Sequence, residues 1–150
     1  MKPRFVFSAL AALSIFLLVQ TATAAPFQPV FDPNNFTPGA AIDNPYLPFT
    51  PGTTYKQSAT VTDPDTGDTG HQLDTQFVTF KTQNIGGVQA RVVHATSTLD
   101  GVQIEDTKDY YAQDKSGNVW YLGEDTKAFE FDDNGKLINT DTSGPWRAGV

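Results

Sequence analysis

Five turn-forming clusters cut residues 53–150 into pieces too short for anything but strands: "DPDTGDTG" from Asp63, "NIGG" from Asn84, "LDG" ending at Gly101, "DKSGN" from Asp114 and "DDNG" from Asp132. Their Gly, Asn and Asp residues tolerate positive φ or bond their own backbone, the chemistry of tight reversals. The pieces between them are rich in Thr, Val and aromatic residues, which suit a pleated, half-buried surface. This pattern predicts strands at 53–62, 73–83, 88–99, 102–113, 118–123, 128–131 and 136–140. Short strands joined by tight turns pair with their neighbours, so the expected fold is mainly β. It is an antiparallel meander of about seven strands in a curved sheet or half-barrel.

Ahead of the strands, residues 25–52 form a proline-rich arm that carries Phe27, Val30, Phe31, Phe36, Ile42, Tyr46, Leu47 and Phe49. A linker seldom holds so many large apolar groups, so the arm is expected to pack on the sheet. Pro45, Pro48 and Pro51 recur every third residue, the repeat of a polyproline II rod, which predicts an extended "NPYLPFTP".

The first residues have the pattern of a secretory leader. Lys2 and Arg4 precede an apolar run from Phe5 to Val19, and Ala22-Thr23-Ala24 satisfies the small-x-small rule for cleavage. A signal peptide over 1–24 and an exported protein, periplasmic or extracellular, are expected. The run is shorter than the ~20 residues that span a bilayer, so no membrane insertion is expected once the leader is removed. The residues after it hold eight basic against 17 acidic side chains, a formal charge of −9. Charge of that sign repels phosphate backbones, so nucleic acid is not an expected partner. The chain has no cysteine, which removes disulfides, thiolate ligands and cysteine nucleophiles. The sequence sets no oligomeric state.

The catalytic signatures are sparse. Ser58, Ser97, Ser116 and Ser143 lack a GxSxG elbow, and His71 and His94 are the only histidines. His71 follows a polar loop and reads as exposed; His94 shares a strand face with Val88, Ala90 and Val92. Asp63, Asp65 and Asp74 occupy positions one, three and twelve of a calcium-loop frame, but Gly67 and Asp68 stand where the frame needs a ligand and its turn glycine. No phosphate loop, HExxH or dinucleotide fingerprint is present, and no cofactor is expected. Glu105, Asp109 and Glu124 could supply the carboxylate pair of a secreted hydrolase acting on a glycan. Glu124 and Asp125, at the exit of an aromatic strand, read more simply as a turn, and "GEDTKAFEF" forms at most one helical turn.

The aromatic pairs are the most specific feature. Tyr110 and Tyr111 on one strand, and Trp120 and Tyr121 on the next, point to opposite faces. Phe129 and Phe131 share a face, as do Val78 and Phe80. One face becomes the core, and the other lies under the arm or opens to a small apolar or amphiphilic ligand. The residues expected at such a site are Tyr111, Trp120, Tyr121 and Phe129, and a non-enzymatic binding or interaction module is the favoured function.

"FDPNNF", "NPYLPFTPGTTY", "YYAQDKSGNVWYLGEDT" and "GPWRAGV" together resemble a family of exported bacterial proteins to which no activity is attached. The resemblance covers most of the chain after the leader and transfers no site residue. Members continue well past the tryptophan segment, so the resemblance is compatible either with a β domain truncated at Val150 or with a naturally short chain.

Overall fold

The structure is a computed structural model that describes residues 29–132 and 134–149. The leader at 1–24, and with it Phe27 of the arm, lie outside the described residues. After a single 3-10 turn, Pro33–Asn35, the chain forms β1 (Thr54–Thr62), β2 (Thr69–Ile85), β3 (Val88–Leu99), β4 (Val102–Gln113), β5 (Val119–Phe131), β6 (Leu137–Asp141) and β7 (Trp146–Arg147). The strands pair in sequence order, all antiparallel, and β7 returns to β5. The sheet is curved and open, since β1 and β6 end it without pairing to each other. No helix among the described residues is long and apolar enough to cross a membrane.

The turns form as their chemistry dictates. Asp114 and Asp132 open two five-residue reversals of the same design, D-x-[SN]-G-x. Each Asp accepts from the backbone N–H groups two and four residues on, and each Gly, at φ +88° and +76°, donates to the carbonyl of that Asp. Asp63 uses its carboxylate in the same way for Asp65 and Thr66.

Both faces of the sheet are apolar at one end. The first face gathers Ile85, Val88, Ala90, Val92, Tyr110, Ala112 and Leu122; the second gathers Val78 and Val93, with Tyr111 and Val119 beside them. The arm covers both. Phe36 and Phe31 lie on the first face, edge-on to Trp120 at 5.8 and 6.2 Å. The chain then passes around the β4–β5 turn and puts Ile42 and Phe49 on the second face. That turn grips the arm from both sides. Lys115 donates its backbone N–H to Asn35 and its ammonium to Asn34, while the Gln113 amide oxygen accepts from the backbones of Asp43 and Asn44.

Three expectations need correction. Residues 118–123 and 128–131 belong to one strand, β5, so Glu124 and Asp125 are strand residues, not a turn, and "GEDTKAFEF" is extended throughout. The reversal read into them is a bulge: Tyr110 faces Gly123 and Tyr111 faces Tyr121, leaving Leu122 as the extra residue. A second irregularity lies between Val78 and Thr82, where Val78 is buried and Phe80 is 77% exposed. The arm is also no rod. Asn44 accepts from the Tyr46 N–H and closes a turn with Leu47, and Thr50-Pro51-Gly52-Thr53 closes another, with Gly52 at φ +89°.

Asp114 ties the β4–β5 turn to the core, because its second oxygen accepts from Asn118 and from the Trp120 indole N–H at 2.8 Å. Desolvation opposes its ionisation, but the bonds from Trp120, Asn118 and Ser116 outweigh it and hold the carboxyl below its ordinary range. A folded-state pKa below the unfolded one, about 3.9, contributes stability above that value and loses it as pH falls through the folded one. The melting temperature is therefore expected to fall between pH 5 and 3. Asp114→Asn should be less stable at pH 7 by ~1–2 kcal/mol and show a smaller acid-induced loss, with thermal melts at several pH values as the check.

Candidate functional site

The second face divides at Tyr121. On the arm's side, Phe49 packs on Tyr111 at 4.7 Å between ring centres, and the gap left where the arm crosses the end of the sheet, from Phe36 to Ile42, is about 10 Å³, no more than one water requires. On the other side the face is open. Tyr111 stacks on Tyr121 at 4.8 Å, and Tyr121 meets the edge of Trp146 at 5.2 Å, so four rings run from a buried end to an exposed one. Tyr121 and Trp146 are 37% and 41% exposed.

Carboxylates continue the row. Asp109 and Glu124 face each other across β4 and β5, and the Tyr121 hydroxyl lies 2.7 Å from an oxygen of the first and 2.6 Å from one of the second. Farther along, Thr107 donates to Glu105, and Ser97 donates to Asp74 at 2.5 Å. Gln57, Gln76 and these residues line a shallow depression of about 230 Å³. In the register of β1 to β5, Gln57, Asp74, Ser97 and Glu105 form one cross-strand row, and Gln76, Ala95, Thr107 and Thr126 form the next. Neither row contains Lys or Arg. Lys56, Lys108 and Lys127 alternate with them onto the first face, where Arg147 bonds Asp125 at 2.6 Å and lies over the Tyr110 ring.

The electrostatics follow from this segregation. Burial raises the Asp109 pKa, the Tyr121 bond opposes the rise, and the charges of Glu124 and Glu105 add to it. Burial, then the two carboxylates, push the Tyr121 phenol far up, so it keeps its proton. That one proton serves two carboxyl oxygens. The second contact is satisfied only when a carboxyl is itself protonated or when positive charge lies beside the pair. On the first face, the Tyr110 phenol is pushed up to about 12 by burial and by its bond to Asp125.

The four residues expected to form one site are divided between faces. Tyr111 and Tyr121 lie together on the second face. Trp120 is held on the first by Phe31, Phe36 and Asp114, and Phe129 alternates onto that face too. Asp63, Asp65 and Asp74 are not assembled either. Asp63 serves its own loop, whereas Asp74 pairs with Gln57, five rungs from the loop end and roughly 16 Å along β2. Among the described residues no group of three or more His, Asp or Glu side chains is placed to hold a metal. Of the proposed hydrolase carboxylates, Asp109 and Glu124 meet and Glu105 stands four residues away along β4, opposite Ala128.

Sequence reading passed over Trp146 and Phe49 as members of the aromatic row, because both come from segments without strand periodicity. It also broke the link from Tyr121 to Glu124 by ending the strand at Gly123 and reading Glu124 and Asp125 as a turn. A glycine within an otherwise regular strand is the signal of a bulge, and that reading would have joined them. No protein-family model, no curated protein and no solved structure matches the chain.

Proposed function

We propose that the chain is a non-enzymatic binding module of the cell exterior or envelope, acting through the second face of its sheet. Its ligand is a small amphiphile. The apolar part lies on Tyr121 and Trp146, and a positive head meets Asp109 and Glu124. The observation that carries this reading is the junction of an exposed aromatic pair with two carboxylates that share a single hydroxyl proton. A cation placed there is attracted both by ring faces and by the unsatisfied carboxylate. The leader sequence is the reason for assigning the work to an exported protein.

Intrinsic fluorescence during titration with an alkyl-trimethylammonium, an alkyl sulfate and an uncharged alkyl glucoside of equal chain length tests it below the micellar concentration of each. The cationic compound is expected to quench or shift the emission, the anionic one to leave it unchanged, and Glu124→Gln to weaken the cationic response roughly threefold to tenfold. Equal responses to all three head groups would remove the ionic part of the reading, and no response would remove the whole. Turnover of a glycan that is lost in Glu124→Gln would instead favour a hydrolase built on Asp109 and Glu124.

A further inference from the structure

The two edges of the sheet differ in how they are finished. The β5 edge is covered by a broken line: β6 has five residues and a bulge at Ile138, Thr142 to Pro145 interrupt it, and β7 adds two. Bulges, proline and brevity are the usual means of preventing an edge from pairing further. The β1 edge has none of these. Its nine residues pair with β2 from Thr54↔Phe77 to Thr62↔Thr69 without a register shift, and seven of the nine are exposed. Among the described residues β1 pairs with β2 alone, so its outer row of N–H and C=O groups is presented straight and unbroken.

We infer that this edge pairs with the β1 of a second copy, antiparallel and two-fold about Ser58, to give one sheet continuous through both molecules. Two-fold symmetry requires a strand complementary to its own reverse, and "TYKQSATVT" has that property. Centred on Ser58, Tyr55 faces Val61 of the other copy, an aromatic and β-branched pair, and Thr54 faces Thr62. These two positions, Tyr55 and Val61, are also the only half-buried ones in β1, both on the second face. Lys56 is the one charge in the strand. In this register it faces Thr60, whereas a register centred on Lys56 would bring two ammonium groups together, so the lysine disfavours that alternative. The acidic rows of the two copies then lie on the same side of the joined sheet.

Because the chain has no cysteine, Ser58→Cys supplies a single thiol on the proposed axis. Facing residues in an antiparallel pair lie about 4.5–5.5 Å apart, within disulfide reach. Mild oxidation is expected to cross-link Ser58→Cys as a dimer and to leave Thr60→Cys largely uncross-linked. In sedimentation, Thr60→Lys sets a like charge opposite Lys56 twice per dimer and should raise the dissociation constant roughly tenfold. Thr60→Glu, equally exposed, sets an opposite charge and should lower it by about threefold. A protein that stays monomeric at about 100 µM, a level at which even modest association registers, overturns the inference. So do equal constants for the two Thr60 variants, or cross-linking that does not favour position 58.

Discussion

Gly123→Ala is expected to destabilise the protein by ~3 kcal/mol or more, through backbone strain and the loss of the bonds that hold β7. This corresponds to a fall of roughly 10 °C in melting temperature. Gly123 sits in the β5 bulge at φ +144°, and a methyl group there would lie 2.4 Å from the Trp146 carbonyl oxygen and 3.0 Å from the Arg147 side chain. A rotamer change of Arg147 could relieve the second contact but not the first, which is to backbone, and the backbone Cα of Arg147 lies only 3.1 Å away. β7 must therefore move away. With it go the Ala148 N–H bond to Leu122, the Arg147 contacts to Asp125 and to the Glu124 carbonyl, and the cation over Tyr110. Gly117→Ala is the matched control. That residue also has positive φ, at +88°, but a methyl group there meets nothing within 4 Å, and ~1 kcal/mol is expected from the conformation alone. Thermal melts of the two variants side by side separate crowding from backbone preference; equal losses would refute the account of the bulge.

Phe49→Ala is expected to cost ~3–4 kcal/mol, the range for deleting a buried aromatic ring. Phe49 is 2% exposed and closes the second face over Val78, Val93 and Tyr111. Its removal leaves Ile42 as the arm's only buried residue on that face, so the segment from Thr37 to Thr53 should become the first site of proteolytic cutting. The turn grip on Asn34 and Asn35, and Phe36 beneath it, remain in place. Denaturant midpoints give the energy, and limited proteolysis with identification of the first cut gives the location. A loss below ~1 kcal/mol, the size of a surface substitution, would mean that the sheet does not depend on the arm for its second face.

The strands β3 and β4 were legible to the residue because both of their ends are marked by turn chemistry: "NIGG" before Val88, "LDG" between Leu99 and Val102, "DKSGN" after Gln113. β2 runs past its predicted bounds at both ends, and β5 joins two predicted pieces. At the start of β2 and within β5 the departure lies at a bulge or beside an acidic stretch, where local composition resembles a turn. An Asp or Glu inside a strand is stabilised by what stands opposite it. The Asp109–Tyr121–Glu124 contacts and the Asp125–Arg147 pair supply those partners only once β4, β5 and β7 are side by side. The proline period failed for a related reason. Three-residue spacing is compatible with an extended rod, but Asn44 and Gly52 provide turns that let the arm follow the end of the sheet.

The sequence by itself determined the fold class, the order of the strands and the fact that adjacent rings at 110–111 and 120–121 need cover on two sides. Those are properties of period and of turn chemistry, which act between neighbours along the chain. Tertiary structure alone decided which cover each ring receives. Trp120 and Tyr110 go to the first face with Phe31, Phe36 and Arg147; Tyr111 and Tyr121 go to the second, one under Phe49 and the other open beside Asp109 and Glu124. The reason is geometric. A one-residue bulge at Leu122 and Gly123 changes the parity of every side chain beyond it, and the path of an arm around the sheet's end depends on contacts with residues some 70 positions away in the chain.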